Sequence, residues 1–73
     1  MNTFILQYIG IGHWFNFTDS NEFAIEFLSF QSAEFVAKTI SELTKIQTHS
    51  VKYPAKLSEW RVKDSAGKEF PLR

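Results

Sequence analysis

Cysteine is absent from the 73-residue sequence, and this absence narrows the chemistry open to the chain. Without thiols no disulfide can stabilise the fold, and cysteine-based zinc or redox chemistry is excluded. Secreted domains of this size usually depend on disulfides, so we expect a cytoplasmic protein. The first residues also lack the basic segment of a signal peptide, and no apolar run approaches the roughly 20 residues that span a bilayer. We therefore expect no membrane association.

Catalytic and cofactor-binding motifs are missing as well. His13 and His49 are the two histidines, and neither stands at metal-ligand spacing with a second histidine or a carboxylate. Gly10-Ile11-Gly12 lacks the third glycine and the following helix of a dinucleotide-binding loop. No serine lies in a nucleophile elbow. We therefore expect a protein that is not an enzyme and that holds no metal or cofactor.

Aromatic residues, by contrast, are abundant. They make up 16% of the chain, and eight of them are phenylalanine. Each buries roughly 150–250 Å², which suits a short chain that must build its core from few residues. The 44% hydrophobic and 22% charged residues are typical of an ordered globular protein. The length predicts one domain, residues 1–73.

Charge is unevenly distributed although the net charge is zero. The first 37 residues contain four carboxylates and no Lys or Arg, whereas residues 38–73 contain eight basic and four acidic residues. The two halves therefore carry −4 and +4. Such asymmetry can mark a surface that binds a charged partner. The plainer interpretation is that the halves interleave in the fold and the charges mix on the surface.

Alternation of apolar and polar residues predicts three strands in the first part of the chain, at 3–9, 13–18 and 22–29. Gly10-Ile11-Gly12 separates the first two as a turn or bulge, and Thr18-Asp19-Ser20-Asn21 has the composition of a turn. Short turns join antiparallel neighbours, so we expect a meander. Its predicted core face consists of Phe15, Phe17, Phe23, Ile25 and Phe27.

The period of the pattern then changes to that of a helix. Ser32 is the predicted N-cap, and the helix is expected to run from about Ala33 to Gln47. Small residues at Ala33 and Ala37 allow a close approach to a sheet. The apolar stripe that defines the helix, at spacings of four and three, consists of Val36, Ile40, Leu43 and Ile46.

The last part of the chain predicts a hairpin. Residues 48–56 are expected to form a loop, within which 50–53 is a possible short edge strand. Strands at 59–63 and 68–72 flank the turn Asp64-Ser65-Ala66-Gly67. The fold class is therefore α+β: an antiparallel sheet in the order β-β-β-α-β-β, with one helix packed on one face.

One helix covers only one face of a sheet, so apolar residues outside the predicted core are candidates for a contact surface. Basic residues interleaved with aromatics are further candidates. The predicted partner-binding residues are Trp14, Leu28, Phe30, Trp60, Arg61, Lys63, Lys52 and Lys56. The alternative is that the carboxy-terminal hairpin covers the second face and makes a sandwich-like core with it. For Trp14 and Trp60 the sequence allows either a core position or a position in the interface.

These features favour a small protein-binding module that occupies a surface on a larger protein or complex. In size and composition the chain is similar to the small inhibitors and modulators that phages and mobile elements encode. One alternative is nucleic-acid binding through a basic and aromatic sheet surface, although the isoelectric point of about 6.7 disfavours phosphate contact. A second alternative is a self-assembling component, with a homodimer as its simplest form.

Overall fold

The computed structural model describes residues 2–46 and 52–73. Within these ranges one α-helix packs on an antiparallel sheet of five strands, and the order β-β-β-α-β-β agrees with the prediction. The strands are β1 (Phe4–Gly10), β2 (His13–Asn16), β3 (Glu26–Phe27), β4 (Trp60–Asp64) and β5 (Glu69–Pro71), and the helix α1 spans Phe30–Ile46. His49, the predicted helix end at Gln47 and residues 50–51 of the possible strand at 50–53 lie outside the described residues, and residues 52–53 belong to no strand.

Strand β1 is the centre of the sheet, whose main path runs β2-β1-β4-β5. β2 and β3 both pair with one edge of β1, and β4 pairs with the other edge from Phe4↔Asp64 to Tyr8↔Trp60. The hairpin of β4 and β5 therefore extends the sheet and does not fold over its second face. The alternative in which the hairpin covers that face is therefore wrong.

The core lies between α1 and the face of β1 that carries Leu6 and Tyr8. Trp60 is fully buried there, and its indole N–H donates to the carbonyl of Pro54 at 3.0 Å. The ring of Tyr53 stacks on Trp60 at 5.8 Å between centroids, and Tyr8 contacts both rings. Of the sixteen hydrophobic residues that form this core or pack against it, eight are aromatic.

Helix α1 is rotated relative to the prediction. The helix buries Ala33, Ala37, Ser41 and Thr44 against the sheet, while Val36 and Ile40 are partly buried. Leu43 and Ile46 are 52% and 75% exposed, so their predicted core position is wrong. The large rings on the sheet face explain the rotation, because only small helix residues fit above them.

The start of α1 also differs from the prediction. The amide of Ser32 donates to the hydroxyl oxygen of Ser29 at 3.1 Å, which makes Ser29 the N-cap and Phe30 the first helical residue. Phe30 packs edge-on against Phe4 and Phe70, with centroids 6.5 and 5.6 Å away. The helix therefore begins three residues earlier than predicted and carries an aromatic ring into the core.

The third strand is much shorter than the predicted 22–29. The carboxylate of Asp19 accepts hydrogen bonds from the amides of Asn21 and Phe23, at 2.8 and 3.1 Å. These bonds extend the turn to Phe23, whose side chain is exposed, and its predicted place in the core is wrong. Pairing resumes with the bridge Thr18↔Ala24 and with β3.

Candidate functional site

The sheet face opposite α1 carries polar side chains that cross four strands. Arg61 Nε donates to Gln7 Oε1 at 2.7 Å, and Gln7 Nε2 donates to Asn16 Oδ1 at 2.8 Å. Arg61 Nη2 also lies 3.1 Å from Glu69 Oε2. We call Asn16, Gln7, Arg61 and Glu69 the open-face row. It connects β2, β1, β4 and β5 through side chains alone.

Arg61 has few groups left with which to bind a phosphate. Its guanidinium carbon lies 4.2 Å from the centroid of the Trp14 ring, in cation–π geometry, and its side chain is only 17% exposed. Lys63 is directly opposite Glu69 in the β4–β5 register. Glu26 lies on the same face, because both it and Lys63 pair with Ile5 of β1. The open face therefore carries two charges of each sign, which agrees with the interpretation that opposite charges mix in the fold.

The predicted partner-binding residues do not form one surface. Trp14, Arg61 and Lys63 share the open face, whereas Lys52 lies beside Tyr53 and the rings on the helix side of the sheet. Lys56 is exposed in the segment before β4, and Leu28 is exposed between β3 and α1. Trp60 is fully buried, which rules out its predicted place on a contact surface, and Phe30 is partly buried against the core.

The turn between β1 and β2 has unusual backbone geometry for its sequence. Gly10 pairs with His13, which leaves Ile11 and Gly12 as a two-residue loop with φ values of 51° and 78°. Two positive φ values define a type I′ turn, for which Asn-Gly or Gly-Gly is preferred. A β-branched residue at positive φ is an outlier. Ile11 is also 96% exposed, which makes it the most exposed of the large apolar side chains described.

A groove of about 520 Å³ opens beside this turn. Tyr8 and Phe15 provide its aromatic wall, with ring centroids 5.9 Å apart. Gly10 lets the Phe15 ring lie against β1, because a Cβ atom there would be 3.3 Å from the ring. Glu22 and Lys52 add one charge of each sign. We call Ile11, Phe15, Tyr8, Glu22 and Lys52 the hairpin-end surface.

The sequence interpretation missed Ile11 and Phe15 as surface residues. Phe15 was expected in the core, but it is 44% exposed because it lies in an edge strand near the end of the sheet. The predicted strands at 3–9 and 13–18 leave three residues between them, so the sequence spacing did not indicate the turn type. The pairing of Gly10 with His13 shortens the loop to two residues, the length of a type I′ turn, in which an isoleucine at the first position is out of place.

No group of three or more His, Asp or Glu side chains that could hold a metal ion occurs in the described part of the chain. The helix of residues 30–46 falls short of what crossing a bilayer requires, and residues 2–46 and 52–73 contain no other candidate. Comparison with protein-family models, with curated proteins and with solved structures gives no match to this chain. The function has therefore to be inferred from the chain's own side chains.

Proposed function

We propose that the chain is a small protein-binding module and that its hairpin-end surface contacts the partner. In this proposal it acts as an inhibitor or modulator, by occupying a surface on a larger protein or complex. The observation that carries the proposal is Ile11, an exposed β-branched residue in a left-handed turn position.

Ile11 lowers the free energy of unfolding of the free protein, and no burial of its side chain offsets this loss. A left-handed conformation costs an ordinary L-residue roughly 1–2 kcal/mol, and a 96% exposed side chain recovers none of this through burial. Full burial of an isoleucine in a partner's pocket would contribute about 1.5–3 kcal/mol. The residue is therefore useful only when something covers it.

The hairpin-end surface also indicates the chemistry of the partner. Ile11 projects from the turn and suits a small apolar pocket, while the groove beside Phe15 suits an apolar side chain from the partner. Glu22 and Lys52 at the groove require a complementary acidic and basic residue, which would set the orientation. We expect a folded protein partner with a mixed apolar and charged contact surface.

The first test compares Ile11→Asn with the unchanged chain. Asn-Gly is a preferred type I′ sequence, so this change is expected to raise the free energy of unfolding by about 1 kcal/mol. Binding is expected to weaken at least about tenfold, because the apolar anchor is lost. If the variant is more stable and no longer binds, misfolding cannot explain the loss of binding. A variant that binds as well as the unchanged chain would contradict the proposal.

The partner for this test is captured from a lysate. Tagged protein is incubated with lysate of the organism that encodes the chain, and the bound proteins are recovered with it. Phe35→Glu is the matched control, because Phe35 is an exposed apolar residue on another element. The expected partner is captured by the unchanged chain and by Phe35→Glu, is lost with Ile11→Asn, and survives nuclease treatment. Titration of the purified partner then gives the dissociation constants. Capture that disappears with nuclease would instead favour the nucleic-acid alternative.

A further inference from the structure

Helix α1 has a second apolar surface on the side turned away from the sheet. Phe35, Leu43 and Ile46 are 70%, 52% and 75% exposed. Thr39 lies between them, and its hydroxyl donates to the carbonyl of Phe35 at 2.8 Å, so its polar group is already satisfied. We call Phe35, Thr39, Leu43 and Ile46 the outer stripe of α1. A groove of about 430 Å³ runs along it.

Charges of alternating sign follow one flank of the outer stripe. In chain order they are Glu34, Lys38, Glu42 and Lys45. Within the helix Lys38 lies 4.0 Å from Glu34, and Lys45 lies 3.1 Å from Glu42. All four side chains keep a substantial exposed fraction, so they remain able to contact a second helix.

This pattern of charges is complementary to itself when reversed. If two copies of α1 pack antiparallel about a two-fold axis near Thr39, Glu34 of one copy faces Lys45 of the other. In the same arrangement Lys38 faces Glu42. The two-fold axis keeps the charged flanks on the same side, so both pairs form twice. Parallel packing would place identical residues level with each other and gives no such complementarity.

We propose that a second copy of this chain covers the outer stripe, with the two α1 helices antiparallel. The side chain of Phe35 then packs between Leu43 and Ile46 of the other copy, and Thr39 lies at the axis. This interface lies on a different element from the hairpin-end surface. The dimer and the proposed function can therefore be tested independently of each other.

A contact between two single helices is small, so the dimer is expected to dissociate on dilution. Sedimentation velocity from about 5 to about 500 μM covers the range expected for a small interface. The unchanged chain and Ile11→Asn are expected to shift together from monomer to dimer with rising concentration. A strict monomer over the whole range would overturn the proposal.

Phe35→Glu tests the stripe itself. The side chain is exposed in the single chain, so the variant is expected to fold normally by circular dichroism. Burying its carboxylate without a partner is expected to raise the dimer dissociation constant at least about tenfold. An unchanged dissociation constant in the folded variant would show that the interface lies elsewhere.

Charge exchange tests the antiparallel arrangement. Lys38→Glu alone places two carboxylates together at each Lys38–Glu42 contact, so the dimer is expected to weaken about three- to tenfold. Adding Glu42→Lys restores opposite charges in the antiparallel arrangement, and affinity is expected to recover. Failure of the double variant to recover would contradict this pairing.

The absence of native cysteine permits a direct test of geometry. Thr39→Cys is expected to form a disulfide-linked dimer on mild oxidation, because the two residues meet at the axis. Lys45→Cys is the control: with Thr39 at the axis, its two copies are separated by about 18 Å along the antiparallel helices, which is too far for a disulfide. A mixture of Glu34→Cys and Lys45→Cys is expected to cross-link. Efficient cross-linking of Lys45→Cys to itself would overturn the antiparallel arrangement.

Discussion

Gln7 is a buried polar residue in the central strand, and both ends of its amide are used. The side chain accepts from Arg61 and donates to Asn16 on the two neighbouring strands. Buried polar groups stabilise a protein when they are paired and cost free energy when one partner is removed. The stability of the open face should therefore depend strongly on this one residue.

Gln7→Leu is expected to lower the free energy of unfolding by about 1–3 kcal/mol, because Arg61 Nε and Asn16 Oδ1 lose their partner. Gln7→Glu is the control and should cost less. Its carboxylate still accepts from Arg61, and the Asn16 amide can turn to donate its NH₂ group. Urea denaturation of both variants provides the measurement. Equal losses would show that the size of the side chain, and not its hydrogen bonds, determines the effect.

At the scale of the elements, helix α1 shows what periodicity reveals and what it leaves open. The 3.6-residue repeat predicted a helix, and alternation predicted the strands of the sheet. The rotation of α1 was not predictable in the same way, because the helix has two apolar surfaces. Which surface meets the sheet depends on the volume that Tyr8, Trp60 and the neighbouring rings already fill.

Two substitutions in α1 test this rotation. Ala37→Leu inserts a large side chain at a fully buried position and is expected to destabilise the protein by about 1–3 kcal/mol. Leu43→Ala removes a larger side chain, yet should change stability by no more than about 0.5 kcal/mol in the monomer. Thermal unfolding at a concentration below dimer formation measures both. If Leu43→Ala instead destabilised the protein more than Ala37→Leu, the predicted stripe of Val36, Ile40, Leu43 and Ile46 would be the face of α1 that meets the sheet.

At the scale of the whole molecule, the described core joins residues from both ends of the chain. Leu6, Val62 and Leu72 are all buried in the same cluster. The acidic first half and the basic second half of the chain also lie side by side, since β1 pairs directly with β4. The candidate site was harder to predict than this architecture, because the exposure of Ile11 follows from a turn type that only the finished strand pairing fixes.

Leu6→Ala is therefore expected to affect the entire fold. Large-to-small changes at fully buried leucines cost about 2–5 kcal/mol, against a total of roughly 4–11 kcal/mol expected for a chain of this length. Far-UV circular dichroism and tryptophan fluorescence should report one coincident urea transition, shifted to lower concentration. Loss of the fluorescence signal before the helical signal would show that helix and sheet unfold separately.

The open-face row has a consequence for how the strands find their alignment. Hydrophobic alternation penalises a slip of one residue, because the core face turns outward, but a slip of two residues restores the same faces. Arg61 can only donate and Glu69 only accepts, so the row has a fixed direction, and the Gln7 amide must present its oxygen to β4 and its nitrogen to β2. In the observed register Arg61 contacts Gln7, Glu69 and the Trp14 ring together, and a two-residue shift of β4 puts Lys63 or Glu59 in its place opposite Gln7. Neither of these has the planar guanidinium that makes all three contacts. The row therefore favours the observed alignment over a two-residue slip, which apolar alternation alone does not distinguish.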